Sequence, residues 1–223
     1  MSNRVRSNEP SETKRKLVEA GVSLMRARGY NATTVDDICA AAGVTKGGFF
    51  HYFGSKDELA KAALDFFFEG KVKEYEEAPF RKLADPLDRV FGRLDYVEAS
   101  SGGDSRPTKG CLFGVFAQEM AFANPELRDA CLRFFTKIAE NIERDLADAS
   151  VVHKPVFPFD PKATAMLYVA IVQGSLMLAK VAGTNAILKS NIEQLRQSLQ
   201  QTFGVVSRPS TSAAVETACP VLN

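Results

Sequence analysis

The chain has no tryptophan and only two histidines, His51 and His153. Its four cysteines, Cys39, Cys111, Cys131 and Cys219, form no CxxC pair. With so few histidines, no metal-ligand spacing arises, and the cysteines are expected to be thiols. No P-loop, GxSxG elbow or pair of metal ligands is present, so nothing points to an enzyme, a metal or a cofactor. No unbroken run of about 18 apolar residues occurs, which argues against a membrane span. The N-terminus is polar and basic, without a signal-peptide pattern, and cytoplasmic residence is the expectation. Strand-type alternation and internal repeats are also absent. The most pointed lack is of acid: from Ile38 through Lys56 there is no Asp or Glu, while Lys46, His51 and Lys56 are present. A polyanion would be attracted to such a window.

That window lies within residues 33–59, TTVDDICAAAGVTKGGFFHYFGSKDEL. Thr34 can cap a helix by accepting from a free amide of its first turn. Asp36 and Asp37 follow, where the helix dipole favours negative charge. Val35, Ile38, Cys39 and Ala42 recur at i, i+3, i+4 and i+7, which is one helical face. Gly43 ends this helix by tolerating positive φ, and Val44 supplies an apolar plug for the turn. Thr45 caps a second helix reaching about Phe53, and Gly54 stops it. Ser55 and Glu58 have the spacing of a capping box opening a third. Two short helices joined by a glycine-containing turn form the helix-turn-helix unit that presents its second helix to DNA. Gly47 and Gly48 weaken that second helix but let backbone approach a ligand closely. Short helical hairpins also occur in proteins that bind no DNA; the order of caps and the missing acid favour the DNA reading.

In these motifs the chain closely resembles the TetR family of bacterial transcriptional regulators. The resemblance spans about residues 11–62, through TTVDDI, AAGVTKG, FFHYF and SKDEL, and beyond that extends only to architecture. It implies an all-α fold of about nine helices, with a three-helix DNA-binding head and a C-terminal helical ligand-binding and dimerisation body. It implies DNA contacts from Thr34, Thr45, Lys46, Gly47, Gly48, Phe50, His51, Tyr52 and Lys56. Many relatives carry Tyr where this chain has Phe50, so a hydroxyl contact to phosphate is lost there; Tyr52 is the available substitute.

The division expected is a basic flexible arm over 1–10, a head over 11–54, a body over 55–204 and a disordered tail over 205–223. Arg4 and Arg6 of the arm either reach a groove or belong to a solvated tail. The first helix is expected from Ser11 or Glu12 to Arg28, and the fourth from Lys56 to about Glu77. Asp85-Pro86, Asn124-Pro125 and Asp160-Pro161 each pair a cap with an N1 proline. They open helices to about Ser100, Ala149 and Ala182. A sixth helix is expected over about 110–122 and a ninth over about 186–203, with loops over 101–109 and 151–159. Residues 1–62 carry 10 Lys+Arg against 7 Asp+Glu, and the remainder 18 against 20, which gives a basic head on a near-neutral body.

The eighth helix is apolar all round, so both faces should be covered. One reading packs one face on the chain's own core and the other on a second copy, with Ala170, Gly174, Met177, Leu188, Ile192, Leu195 and Leu199 at the interface. A purely intrachain bundle is the other. Phe67, Phe91, Tyr96, Phe113, Phe116, Met120, Phe134, Met166, Tyr168 and Gln173 are candidates to line an effector cavity. Taken singly, each apolar one is equally ordinary core. Cys111 in KGCLFG is either a small apolar residue or a helix N-terminal thiol able to sense oxidants or electrophiles. The function implied is a homodimeric regulator of double-stranded DNA. It would most plainly act as a repressor released from a palindromic operator by a small, largely neutral effector. Switching at Cys111 is the alternative, and a helical adaptor without DNA a more distant one.

Overall fold

The computed structural model describes residues 12–101 and 108–205. The basic arm, most of the 101–109 loop and the tail beyond 205 lie outside the described residues. Those described form nine α-helices and one 3₁₀ turn, with no strand among them. The head consists of α1 (Glu12–Arg28), α2 (Val35–Ala42) and α3 (Lys46–Tyr52). The body holds α4 (Lys56–Glu77), a 3₁₀ turn (Pro79–Lys82), α5 (Pro86–Ser100), α6 (Leu112–Met120), α7 (Pro125–His153), α8 (Pro161–Ala182) and α9 (Ala186–Phe203).

The local signals act as expected at most helix ends. Asp85, Asn124 and Asp160 each accept two backbone N–H bonds in the first turn of a proline-started helix. Gly43, Gly183 and Gly204 close α2, α8 and α9 at φ of 65°, 67° and 63°, the left-handed region where glycine is cheapest. Two helices differ in length. The sixth is shorter, beginning at Leu112 with Cys111 as a cap that makes no side-chain bond. The seventh continues to His153, because Nε2 of that residue lies 2.8 Å from both carboxylate oxygens of Asp85 and pins its last turn to the start of α5.

Two large apolar cores follow, beside a small third cluster of Ala78, Phe80 and Tyr96. One joins the head to α4, α6 and the first half of α7, through Leu17, Met25, Ile38, Phe49, Leu59, Phe67, Phe113 and Phe134. The other fills the body between α5, α7, α8 and α9. Phe135 and Ile138 touch both. The first core thus includes residues on both sides of the boundary expected between residues 54 and 55.

By length and composition α8 could cross a membrane, although it contains no unbroken apolar run. Its packing gives another account of that composition. Tyr168, Val169, Val172 and Ala179 face the chain's own core, while Met166, Leu167, Met177, Leu178 and Val181 are exposed. Of the two faces expected to be covered, the chain's own core covers one, and the other is exposed.

Candidate nucleic-acid interface and the cavities of the body

The recognition segment is built by caps at both of its approaches. Thr34 and Asp37 form a reciprocal box. The Thr34 hydroxyl accepts from the Asp37 amide at 3.1 Å, and the Asp37 carboxylate accepts from the Thr34 amide at 3.0 Å. Arg28 adds an ion pair to Asp37 at 2.6 Å. The Asp37 carboxyl is held down to about 2, first by the Thr34 hydroxyl, then by the Thr34 amide and then by Arg28. Thr45 caps α3 by accepting from the Gly48 amide at 3.1 Å. The box expected at Ser55 is not reciprocal. Ser55 accepts from the Glu58 amide, but the Glu58 carboxylate takes the Gly54 N–H at 2.7 Å.

Phe49 and Phe53 anchor α3 in the head core, which leaves Thr45, Lys46, Gly47, Phe50 and His51 facing solvent. Phe50 is 51% exposed, unusual for so large an apolar side chain, and stacks edge-on against buried Phe49. Tyr52 is half-buried, with its ring edge-on to His51. The two glycines have different reasons to be there. A Cβ on Gly48 would lie 2.8 Å from Val44 Cγ1, so the turn plug excludes it. A Cβ on Gly47 would meet only Thr45 Oγ1, at 4.0 Å, and its φ is not positive. Nothing within the chain requires glycine at 47; a surface brought up from outside would.

Two lysines are placed less simply than the sequence suggests. Lys46 pairs across the turn with Asp36 at 2.9 Å, so an acid reaches the acid-free segment from the preceding helix. Both groups are exposed, and such pairs contribute little to stability. Lys56 is turned into the head. Its ammonium donates to the Tyr30 and Thr33 carbonyls, both at 3.1 Å, and lies 3.9 Å from the centroid of the Tyr30 ring. It closes the α1–α2 loop and keeps at most one N–H for a phosphate.

The body contains a groove of about 740 Å³ between the end of α1 and helices α6, α7 and α8. Val115, Leu132, Phe135, Met166 and Met177 give it an apolar wall, with Gln118, Glu119, Gln173 and Lys180 as polar points. Of the residues expected to line a pocket, only Met166 and Gln173 do so here. Phe67, Phe91, Tyr96, Phe113, Phe116, Met120 and Tyr168 are buried core and line neither this groove nor a smaller cavity of about 360 Å³ between α4, the 3₁₀ turn, α5 and α7, which Phe134 does line. Periodicity marks a residue as inward-facing and does not distinguish a filled interior from an open one.

The expected interface set divides as well. Leu188, Ile192, Leu195 and Leu199 are at most 4% exposed and pack into the chain's own core, which removes them from any surface. The apolar seam of α9 faces inward, and Lys189, Glu193, Gln194 and Gln197 face out. Ala170, Gly174 and Met177 line the groove. Leu167 and Leu178, which share one stripe of α8 at a spacing of 11 residues, close to three helical turns, are exposed and not among the groove residues, although the expected interface set omits them.

Cys111 also lines the groove. Burial pushes its thiol up, and the N–H groups of Gly114 and Phe113, the Gln173 side chain and Arg26 oppose that only in part. The helix amides act in the direction expected, but desolvation wins, contrary to the low-pKa thiol envisaged from the sequence.

The groove touches the head directly. Arg26 donates from Nε and Nη2 to the Gly110 carbonyl at 3.2 and 3.0 Å, and Lys180 donates to the Arg26 carbonyl at 2.7 Å. Glu119 accepts from the Asn31 amide at 2.8 Å. The end of α1 is thus fixed to α6 and α8 along one edge of the groove.

Comparison with known proteins agrees with this geometry. Residues 17–63 match the model of bacterial regulatory proteins of the tetR family, and residues 98–194 match the C-terminal domain of LmrA/YxaF-like transcriptional regulators. The chain is 28% identical over 193 residues to an uncharacterised HTH-type transcriptional regulator in the lacX 3′ region of Lactococcus lactis subsp. lactis, covering 85% of this chain and 94% of that protein. It is 27% identical over 197 residues to the HTH-type transcriptional repressor DhaR of Mycobacterium sp. strain GP1, covering 85% and 88%. Among solved structures, a TetR transcriptional regulator from Chloroflexus aurantiacus J-10-FL superposes with a TM-score of 0.76 at 28% identity, covering 86% of this chain and 96% of that one. With its capped recognition helix facing solvent and both halves matched, the chain belongs to the TetR family of helix-turn-helix transcriptional regulators and is not an enzyme.

Proposed function

We propose that this regulator acts as a homodimer that seats α3 of each subunit in successive major grooves of a near-palindromic operator, represses transcription there, and is released by a small molecule bound in the body groove. The observation that carries the DNA half is the outer face of α3. Thr45, Lys46, Gly47, Phe50 and His51 are exposed together, and Gly47 has no steric reason within the chain to lack a side chain. The single remaining donor of Lys56 flanks that face as a phosphate contact; Thr34, whose amide and hydroxyl both donate to Asp37, reaches a phosphate only by giving up one of those bonds; Gly48 and Tyr52 support the face from its inner side. Repression is the mode named for the relative DhaR.

The ligand half rests on the position of the groove. Its wall includes Ala27, Arg28 and Gly29 of the head together with α6, α7 and α8 of the body. A ligand that fills it bears on the ties from Arg26 and Glu119, so it favours a different head position from the one DNA selects. The two ligands then oppose each other by linkage, reciprocally. The mostly apolar wall fits a largely neutral effector. The raised thiol of Cys111 makes covalent switching the weaker of the two routes.

A gel-shift titration against the DNA upstream of the chain's own gene tests the first half. Lys46→Ala is expected to weaken binding about tenfold and to reduce the salt slope by about one phosphate contact. Undiminished binding by that variant would remove α3 from the interface.

A further inference from the structure

We infer that Asp36 is a specificity-determining residue of the head: when Lys46 leaves it for a phosphate, its carboxylate accepts from the amino group of one cytosine in each half-site. This role rests on the seating of α3 proposed above and adds a base that the operator must carry.

An acid on a surface offered to a polyanion is out of place, because phosphates repel it. Asp36 stands on such a surface. Its side chain is 71% exposed in the first turn of α2, and its two carboxylate oxygens lie 2.9 and 3.3 Å from the ammonium of Lys46, the first residue of α3. The exposed pair contributes little to stability, so packing does not explain the acid. Nor does the α2 dipole, which Asp37 already complements from the same turn.

The neighbouring acids are engaged within the chain. Asp37 closes the box with Thr34 and pairs with Arg28. Asp57 accepts from the Tyr30 hydroxyl, and Glu58 takes the Gly54 amide. Among the described residues, Asp36 has only Lys46 as a hydrogen-bond or ion-pair partner. It is therefore free to change partners once Lys46 does.

A phosphate that draws Lys46 away strands the Asp36 carboxylate against the duplex. On unrelated DNA the stranded charge offsets much of what Lys46 gains, which lowers non-specific affinity. On a matching site a base takes the place of Lys46. The first residues of a recognition helix meet base edges in the major groove, and Asp36 lies within contact distance of the first residue of α3. An ionised carboxylate only accepts. Guanine and thymine present acceptors there, and adenine sets its N7 acceptor beside its amino group; cytosine alone presents a donor without an acceptor. One cytosine per half-site is thus the base that satisfies Asp36. The same carboxylate weakens binding to random sequence and restores it on the operator.

The test is fluorescence-anisotropy titration of the full chain, as wild type and as Asp36→Ala, Asp36→Asn and Lys46→Ala. The probes are the upstream duplex, a set carrying every single base-pair substitution in its half-sites, and an unrelated duplex of equal length. The melting temperature of each variant checks the fold. Wild type is expected to lose about tenfold when one cytosine of a half-site is replaced. Asp36→Ala should bind all four base pairs at that position within about threefold of one another and bind the unrelated duplex several-fold tighter than wild type does. Asp36→Asn should shift the preference there to adenine, the base an amide side chain pairs with. Lys46→Ala should weaken every duplex alike and keep the cytosine preference. A cytosine preference kept by Asp36→Ala, an equal gain by that variant on operator and unrelated duplex, or a preference lost only with Lys46 would each overturn the role of Asp36 while operator binding stands. Wild type that bound upstream and unrelated duplexes equally would overturn the seating of α3, and this role with it.

Discussion

At the scale of single residues, the informative positions are those where the fold does not explain the side chain. Gly48 is explained by Val44; Gly47 is not, because space around it is open. Ala at 47 should therefore stabilise α3, by roughly 0.5–1 kcal/mol from helix propensity. It should also weaken operator binding several-fold, because the added methyl stands between backbone and DNA. Thermal melts and operator titrations of Gly47→Ala should move in opposite directions. A variant that gained stability and kept full affinity would show that the DNA does not come close there. Lys46 teaches the reverse lesson. Its charge was legible in the sequence, but its pairing with Asp36 was not, because that contact runs across a turn whose angle only the packing of Phe49 and Ile38 fixes.

At the scale of elements, most helix ends were legible because caps are local. Thr34, Thr45, Asp85, Asn124 and Asp160 each cap the helix they signal. The exceptions have non-local causes. The extra turn of α7 is held by Asp85, 68 residues away in sequence. The inward turn of Lys56 depends on carbonyls of the α1–α2 loop. The Thr34–Asp37 box yields a prediction in pH. Asp37 titrates below the usual carboxylate range when folded, so its contribution is fully present above about pH 4 and is lost as pH falls through about 2. Thr34→Val removes the largest cause and should return the Asp37 carboxyl toward 3.8, as followed by carbon-detected NMR titration. An unmoved titration would mean that Arg28 alone sets it.

For the whole molecule, the sequence supplied the architecture and the two-sided apolarity of α8, but it did not supply the direction in which α9 faces. A regular seam such as Leu188, Ile192, Leu195 and Leu199 is equally suited to a neighbouring helix of the same chain and to one of another. The observed burial moves the proposed dimer contact onto Leu167 and Leu178, 53% and 45% exposed, beside the polar outer face of α9. Leu167→Lys/Leu178→Lys should shift sedimentation toward monomer and lower operator affinity with it, while the melting temperature changes little. A dimer unaffected by both charges would place the interface elsewhere. Cavity lining was legible only in part for a related reason: sequence marks what points inward, and whether helices close over that point depends on their separation.

The central claim is that two copies of α3, held at a fixed separation, read one face of the duplex. The most direct test is operator affinity as a function of the spacing between half-sites. Inserting about 5 base pairs rotates one half-site by about half a turn. The account predicts that affinity then falls to the level of unrelated DNA. Affinity unchanged by the half-turn insertion would contradict it.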